Sequence, residues 1–341
     1  MIFLSPLGWL YGAGARSRNA LYDRELLGSH ALGAKTISVG NITTGGTGKT
    51  PLVAYIAETL AEHGEKVCIL TRGYGREEPK SRVVVSNWRG VLVDALAGGD
   101  EPVELANKLI GKAVIVADPN RVAAGLWAKD QYGITAFVLD DGFQHRRVRR
   151  DLDVVCVDAT DPFGGGEILP AGRLREPPAS LGRADAIVLT RADMVDDVEA
   201  VVKRVRRYCA DRPIFNAETK LDGFAFVSDL AEVHDGCDIG PAYAFCGLAN
   251  PESFFATLRK SGVELKGVQA FRDHHLYTQA DVEKLEHEAE WAEAKCLVTT
   301  AKDAVKLADL QFEMDCRVAA ASLELNDPDS FHDLLLRVLS A

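Results

Sequence analysis

The chain has 341 residues, room for two domains at ~150 residues each, and its 47% hydrophobic and 26% charged content is that of a soluble, packed protein. A formal net charge of −11 excludes a broad nucleic-acid footprint, which needs a basic face; the basic runs are local, chiefly "HRRVRR" from His145 to Arg150. Seven scattered cysteines with no C-x-x-C pair exclude a disulfide framework and a zinc ribbon, and they fit reduced, mostly buried thiols in the cytoplasm.

The first predicted element is the stretch "MIFLSPLGWLYGAGARSRNALYDREL", which opens apolar and turns basic at Arg16 and Arg18. Its apolar part is shorter than the ~20 residues of a spanning helix and is broken by Pro6 and Gly8. The positive residues follow the apolar ones, the reverse of a secretory signal. Two readings stay open on these residues: a helix docked on the protein's own core, or an interfacial segment with Trp9 and Tyr11 at lipid headgroups.

From Lys35 onward, short β-branched runs alternate with helical stretches. The runs are "TISVG", "KVCILTRG", "AVIVAD", "ITAFVLDDG", "LDVVCVDA", "DAIVLTRAD" and "PIFNAET", with amphipathic segments at 50–63 and 120–132 between them. Strands apolar throughout, separated by helices, predict a parallel sheet buried on both faces. The expected fold class is therefore a doubly wound α/β domain over residues 25–219. After Leu221 the texture changes to "FAFVSD", "AYAFCGL", "VELKGVQAF", "CLVTTAKD" and "CRVAAASLEL", which predicts a smaller α/β domain over 220–341 that closes over the first.

Between the first strand and the first long helix stands "NITTGGTGKTP", Asn41 to Pro51. A Walker loop needs Gly, four residues, then Gly-Lys-Ser/Thr; here Thr43 occupies the first glycine position. Strand, glycine-rich loop and helix N-terminus together aim backbone N–H groups at phosphate oxygens, so the context makes Thr43, Thr44, Gly45, Gly46, Thr47, Gly48, Lys49 and Thr50 a phosphate cradle. Lys49 is expected on the β- and γ-phosphates and Thr50 on Mg²⁺. Thr43 is tolerable there provided its φ is negative. Such a loop also needs a carboxylate at the end of a neighbouring apolar strand, and "AFVLDDGFQHRR" supplies Asp140 and Asp141 as Mg²⁺-side candidates. His274 and His275 are adjacent and point in different directions, which argues against a metal pair.

Other polar clusters punctuate strand ends: "TRGYGR", "GGDEP", "DPNR", "LPAGRLREP" and "FRDHHLY". Together with "VGNITTGGTGKTP", "LDDGFQHRRVRRDLDVVCVD", "CGLANPESFF" and "TTAKDAVKL", they closely resemble the tetraacyldisaccharide 4′-kinases, the lipid A 4′-kinases of Gram-negative bacteria. The matching strings run in order from about 38 to 307, and the Thr-containing loop is the family's own variant. The resemblance implies a P-loop NTPase-type fold and ATP- and Mg²⁺-dependent phosphorylation of the 4′-hydroxyl of tetraacyldisaccharide 1-phosphate, giving lipid IVA. It implies peripheral work at the cytoplasmic face of the inner membrane, with residues 1–24 as an interface segment, and no nucleic acid or obligate protein partner. By the same resemblance Asp100 is the general base, His274 its partner and Glu101 a further carboxylate near the metal. Arg175, Glu176 and Asn250 are nucleotide-side contacts, and Arg72, Tyr74, Arg76, Arg121, Gln144 and His145 meet the sugar and its 1-phosphate. A sugar hydroxyl is a poor nucleophile at neutral pH, so a positioned carboxylate suits this chemistry. On local grounds alone Asp100 also reads as the cap of a helix beginning near Pro102.

Two alternatives come from other classes. "LTRADM" resembles the Asn/Thr-Lys-x-Asp guanine signature of P-loop GTPases with Asp193 as the reader, although Arg191 replaces its lysine and Thr44 stands where variant loops carry a lysine. A nucleotide-gated membrane scaffold would bind nucleotide without phosphorylating an acceptor.

Overall fold

The computed structural model describes residues 5–235 and 239–340; Met1 to Leu4 of the expected interface segment lie outside them. Helix α1 (Ser5–Asp23) precedes strand β1 (Lys35–Asn41) and helix α2 (Lys49–Glu62). Then come β2 (Val67–Thr71), the short pair β3 (Val83–Asn87) and β4 (Gly90–Val91), α3 (Ala95–Gly98), α4 (Asp100–Lys108) and β5 (Ala113–Ala117). The first half ends with α5 (Arg121–Tyr132), β6 (Ala136–Asp140), β7 (Leu152–Asp158), β8 (Ala186–Thr190), α6 (Val198–Cys209) and β9 (Ile214–Phe226). The rest is β10 (Asp229–Asp235), β11 (Ala242–Cys246), α7 (Pro251–Lys260), β12 (Leu265–Ala270), α8 (Gln279–Trp291), β13 (Cys296–Thr300), α9 (Ala301–Ala304), β14 (Cys316–Leu325) and α10 (Pro328–Ser340).

One sheet runs β12-β11-β13-β14-β9-β8-β7-β1-β6-β2-β5-β3-β4, with β10 paired to β9 beside this path. From β5 to β9 every neighbouring pair is parallel. The short strands β3 and β4 finish one edge antiparallel. Leu52, Val53, Ile56 and Leu60 of α2 recur at helical spacing and pack on one face of the sheet. Helix α5 covers the other face near β2 and β5, and α6 covers it near β7 and β8. This double cover explains why β2, β5, β6 and β7 are buried at every position and carry continuous apolar runs. The fold is α/β with a mostly parallel sheet, as the alternation predicts.

The expected division at 219/220 falls inside β9, which pairs β8 in parallel and β14 antiparallel and so joins the two halves in one sheet. Helix α10 returns to the first half: Phe331 packs against Tyr55 and Phe215 at ring distances of 6.0 and 5.0 Å. The six described cysteines are buried and unpaired in disulfides.

Helix α1 has two different sides. Gly8 and Gly12 press on the 168–171 loop so closely that a side chain at Gly8 would begin 3.0 Å from the Ile168 carbonyl oxygen. Leu7, Trp9, Leu10 and Tyr11 are instead 46–68% exposed. Helix α1 is thus docked through its glycines while these four side chains stay exposed. Among the described residues, no helix is long and apolar enough to cross a membrane.

Candidate active site

The order of the strands reverses around β1, whose neighbours are β6 and β7, and ligands of open α/β sheets bind at the carboxyl ends of strands at such a point. The Thr43–Thr50 loop leaves β1 there. Gly45 (φ 105°) and Gly48 (φ 71°) adopt left-handed backbone, and Gly48 caps α2. Thr43 has no positive φ and forms an antiparallel bridge with Leu174, so a side chain fits where other loops need glycine. Neighbours hold the loop through its carbonyls. Arg173 donates to Thr44 O at 3.0 Å, Arg191 to Gly46 O at 2.6 Å, and Thr190 Oγ1 to Thr47 O at 2.9 Å. The first turn of α2 thus presents its N–H groups and positive dipole end from a fixed loop, which suits an anion.

Asp140 ends β6 beside this loop and accepts from Thr71 Oγ1 at 2.8 Å. Burial, with the charges of Glu101 and Asp141, pushes its carboxyl up to about 6; Lys49 and the Thr71 bond offset part of that rise. Asp141 (φ 51°) accepts from Arg175 at 2.7 and 2.8 Å and lies 3.5 Å from Lys49 Nζ. Burial acts to raise its carboxyl too, but Lys49 and Arg175 more than offset this and hold it below the usual range. A buried carboxylate raised by like charge is short of a cation, and Mg²⁺ in kinases takes one or two carboxylates plus phosphate oxygens. The donor set of Thr50, Asp140, Asp141 and Glu101 fits that demand. Among the described residues no three His, Cys, Asp or Glu side chains form a metal cage by themselves.

Across the cleft, Gly99 (φ 92°) occupies the cap position of α4, and Asp100 is the first helical residue, not the cap. Its Oδ1 accepts from Glu101 N at 3.0 Å, and its Oδ2 lies 2.7 Å from His274 Nδ1. His274 holds a left-handed φ of 59°, a costly conformation for a non-glycine residue, in the loop before α8. Two lysines complete the cluster. Lys302 Nζ is 3.9 Å from Asp100, 3.5 Å from Glu101 and 2.9 Å from Asp273, and Lys306 Nζ is 3.8 Å from Asp100 and 3.0 Å from Asp303. Burial works to raise the Asp100 carboxyl, but the His274 hydrogen bond and the lysine charges outweigh it and leave Asp100 below its ordinary value. The bond to Asp100 raises His274, against burial and Lys302. The two form a carboxylate–imidazole pair that spans 174 residues of sequence.

The remaining expected residues divide by position. Arg121 is buried at the start of α5, 3.5 Å from Asp140 O, and Arg72 is close enough to lower it. Burial and the charges of Arg121 and Arg150 bring His145 down to about 4, so it is neutral at physiological pH. Gln144 donates to Asn41 O at 2.8 Å, and the exposed Tyr74 ring lies 5.8 Å from that of His274. Asn250 stands before α7 with no capping bond from its side chain. Arg76 is buried and donates to the carbonyls of Ala117 and Pro79, which ties down its own loop.

Glu176 keeps different company. It is fully buried and accepts from Asn19 at 2.7 Å, Arg183 at 2.8 Å and Arg18 at 3.3 Å, so its carboxylate fastens α1 to the core. Breaking a buried charge cluster from one side costs about 3–5 kcal/mol. Glu176→Ala should lower unfolding stability by that order in urea titration, and Glu176→Gln by less. An unchanged midpoint for Glu176→Ala would remove the anchoring role.

Lys302, Lys306, Arg173 and Arg191 also belong to the site, and none stood out as a site residue in sequence. The available signal was the i, i+4 lysine pair of "TTAKDAVKL", whose partner Asp100 is about 200 positions away.

The model of the family described as Tetraacyldisaccharide-1-P 4'-kinase (LpxK) matches residues 1–340. A Tetraacyldisaccharide 4'-kinase of Anaeromyxobacter sp. (strain Fw109-5) is 40% identical over 328 residues, covering 95% of this chain and 87% of the relative. One from Geobacter metallireducens is 36% identical over 340 residues, covering 99% and 98%. The crystal structure of LpxK from Aquifex aeolicus in complex with ATP superposes with a TM-score of 0.81 at 30% identity, over 98% of each chain. Sequence and fold agree over almost the entire length, and the chain belongs to the tetraacyldisaccharide-1-P 4'-kinase family.

Proposed function

We propose that this kinase of lipid A biosynthesis takes ATP as donor on the Thr43–Thr50 loop and uses Asp100 to receive the proton of the acceptor's 4′-hydroxyl. The ATP held by the Aquifex aeolicus relative supports the donor. The observation that carries the rest is the Asp100–His274 pair at 2.7 Å, next in sequence to Glu101, whose charge acts on Asp140 at the end of β6. As the 4′-oxygen bonds to the γ-phosphorus, the bond from that phosphorus to the β,γ-bridging oxygen breaks and ADP leaves. The hydroxyl proton passes to the Asp100 carboxylate, and His274 keeps that carboxylate oriented. Lys49 stabilises charge on the β- and γ-phosphates. Mg²⁺, when bound, neutralises phosphate charge; Thr50, Asp140, Asp141 and Glu101 would hold it. Arg175 and Asn250 serve the nucleotide side, and Arg72, Tyr74, Arg121, Gln144 and His145 form the sugar and 1-phosphate side. In this reading residues 25–219 are the kinase core and 220–341 the cover that brings His274 to Asp100.

The decisive assay is incubation with γ-labelled ATP and tetraacyldisaccharide 1-phosphate, followed by lipid chromatography. Label on the lipid at the 4′ position is expected; label released only as free phosphate would sink the kinase mechanism.

The acceptor's acyl chains also imply peripheral attachment at the cytoplasmic face of the inner membrane, and the exposed Trp9, Leu10 and Tyr11 supply an apolar surface for it. Deleting α1 would expose Glu176, so substitution tests this better. Trp9→Glu with Leu10→Glu should lower turnover on acceptor in bilayers at least about tenfold, with melting and nucleotide affinity unchanged. Equal activity and equal vesicle binding would leave α1 only its docking role.

A further inference from the structure

Two lysines approach Asp100 from the C-terminal half of the chain, and neither belongs to the phosphate loop. Both come from "TTAKDAVKL", where β13 ends and Thr300 caps α9 by accepting from Asp303 N at 3.1 Å. They are not equivalent.

Lys306 is fully committed. Its ammonium donates to Asp303 at 3.0 Å and lies 5.4 Å from the centre of the Tyr277 ring. Asp303 is completely buried and also accepts from Gly247 N at 2.9 Å and Thr300 Oγ1 at 2.8 Å, so this cluster holds the second half together. Lys302 makes a single hydrogen bond among the described residues, to Asp273 at 2.9 Å. At 3.5 Å from Glu101 and 3.9 Å from Asp100 it has charge contacts without a bonded donor. An ammonium has three donors, so two stay unspent on a side chain only 9% exposed. Unmade bonds on a buried cation are costly, and a ligand oxygen relieves that cost. Burial works to lower the ammonium, but Glu101, Asp100 and Asp273 outweigh it and keep Lys302 charged.

The position of Lys302 indicates which oxygen it would meet. Asp100 receives the acceptor's proton in the proposed mechanism, and Glu101 stands on the Mg²⁺ side, where its charge acts on Asp140. The transferring phosphorus passes from ADP to the acceptor oxygen beside these two carboxylates, and Lys302 touches both. In-line transfer spreads negative charge over three equatorial oxygens. Cations on two sides neutralise more of that charge than Lys49 can alone. A Glu101 carboxylate engaged with Mg²⁺ has less charge to spare for Lys302, which frees the ammonium for phosphate.

We infer that Lys302 is a second phosphoryl-binding cation, donating to a γ-phosphate oxygen while the group moves from ADP to the acceptor. Lys302 keeps its protons throughout, and the hydroxyl proton still goes to Asp100. The inference rests on the reading of the loop as the ATP site and of Asp100 as the base.

The test measures ADP binding with Mg²⁺ and acceptor in mixed micelles, with and without fluoroaluminate, which stands in for the planar phosphoryl group in flight. The gain in ADP affinity on adding fluoroaluminate reads stabilisation of that group apart from the hold on ADP. Lys302→Met, Lys302→Gln and Asp273→Asn are measured beside wild type, each with a melting curve. Both Lys302 variants should lose roughly 10²-fold of the gain, the order set by one preorganised donor, with the affinity for ADP alone unchanged. Glutamine keeps a donor for Asp273 and carries the measurement if the methionine variant folds poorly. Asp273→Asn separates phosphate binding from a role in fastening the loop before α8, because it weakens the partner and leaves the cation. It should keep the gain. A folded Lys302→Gln protein with the wild-type gain would overturn the inference, as would an Asp273→Asn protein that loses as much as the Lys302 variants. A wild type in which fluoroaluminate adds nothing to ADP affinity would overturn the phosphoryl-transfer reading of the site and the inference together.

Discussion

Lys49→Ala is expected to lower turnover by at least about 10²–10³-fold and to leave the protein folded. Removing one preorganised donor from a developing phosphoryl charge costs that order in rate. The site's geometry adds a reason for the fold to survive. Lys49 Nζ lies 3.5 Å from Asp141, but Arg175 binds the same carboxylate at 2.7 and 2.8 Å, so Asp141 keeps a partner in the variant. The loop is held by Arg173, Arg191 and Thr190 through its carbonyls and does not depend on the lysine. Asp140 responds differently, because Lys49 is one of the groups that offset the rise of its carboxyl, which should climb further in the variant. Turnover and melting are measured on one preparation from pH 6 to 8. Wild-type turnover in a folded Lys49→Ala protein would remove the loop from the mechanism.

How far these parts could be read from sequence depended on how many residues separate the groups that cooperate. Strand β1, the loop and α2 occupy 28 consecutive positions, 35–62, and each element supplies the context for the next. Asp140 was legible because it ends an apolar run, and parallel strands put their carboxyl ends together whatever their order in the chain. The division at 219 came from the change of texture after Leu221, which lies inside β9: the strand alternates between buried and more open positions over 214–222 and is buried at 223–225. The strand itself continues across the expected boundary. Strands β3 and β4 are short, sit at the edge and lack helical punctuation between them, so periodicity gave them no signal. Glu176 directly follows Arg175, so the sequence reading grouped the two. Its side chain instead joins α1, over a separation of 157 residues that no local pattern encodes.

Asp100→Asn should reduce turnover by roughly 10²–10⁴-fold, the range for loss of a general base. Helix capping predicts otherwise, since asparagine caps as well as aspartate, but the cap position belongs to Gly99 and Asp100 spends Oδ2 on His274 at 2.7 Å. The substitution also removes a charge that Lys302 and Lys306 share. Both lysines keep closer partners, Asp273 at 2.9 Å and Asp303 at 3.0 Å, so the stability loss should be small beside the loss of rate. Nucleotide affinity should hold, because in the proposed mechanism Asp100 acts on the acceptor. His274→Ala should lower turnover as well, and the double variant should lose less than the product of the two losses, since the pair works as a unit. The pair also has a pH signature in stability. The folded pKa of Asp100 is depressed, so its contribution is present above the unfolded value of about 3.9 and is lost as pH falls through the folded value. The folded pKa of His274 is raised, so its contribution is complete below about 6.5 and fades as pH rises through the folded value. The stability difference between wild type and His274→Ala should therefore be largest between about pH 4 and 6.5 and shrink on both sides. Urea midpoints across pH 3 to 9 measure it. A flat difference would mean that the 2.7 Å contact carries no charge, and an Asp100→Asn enzyme with near-normal turnover would remove Asp100 from the proton transfer.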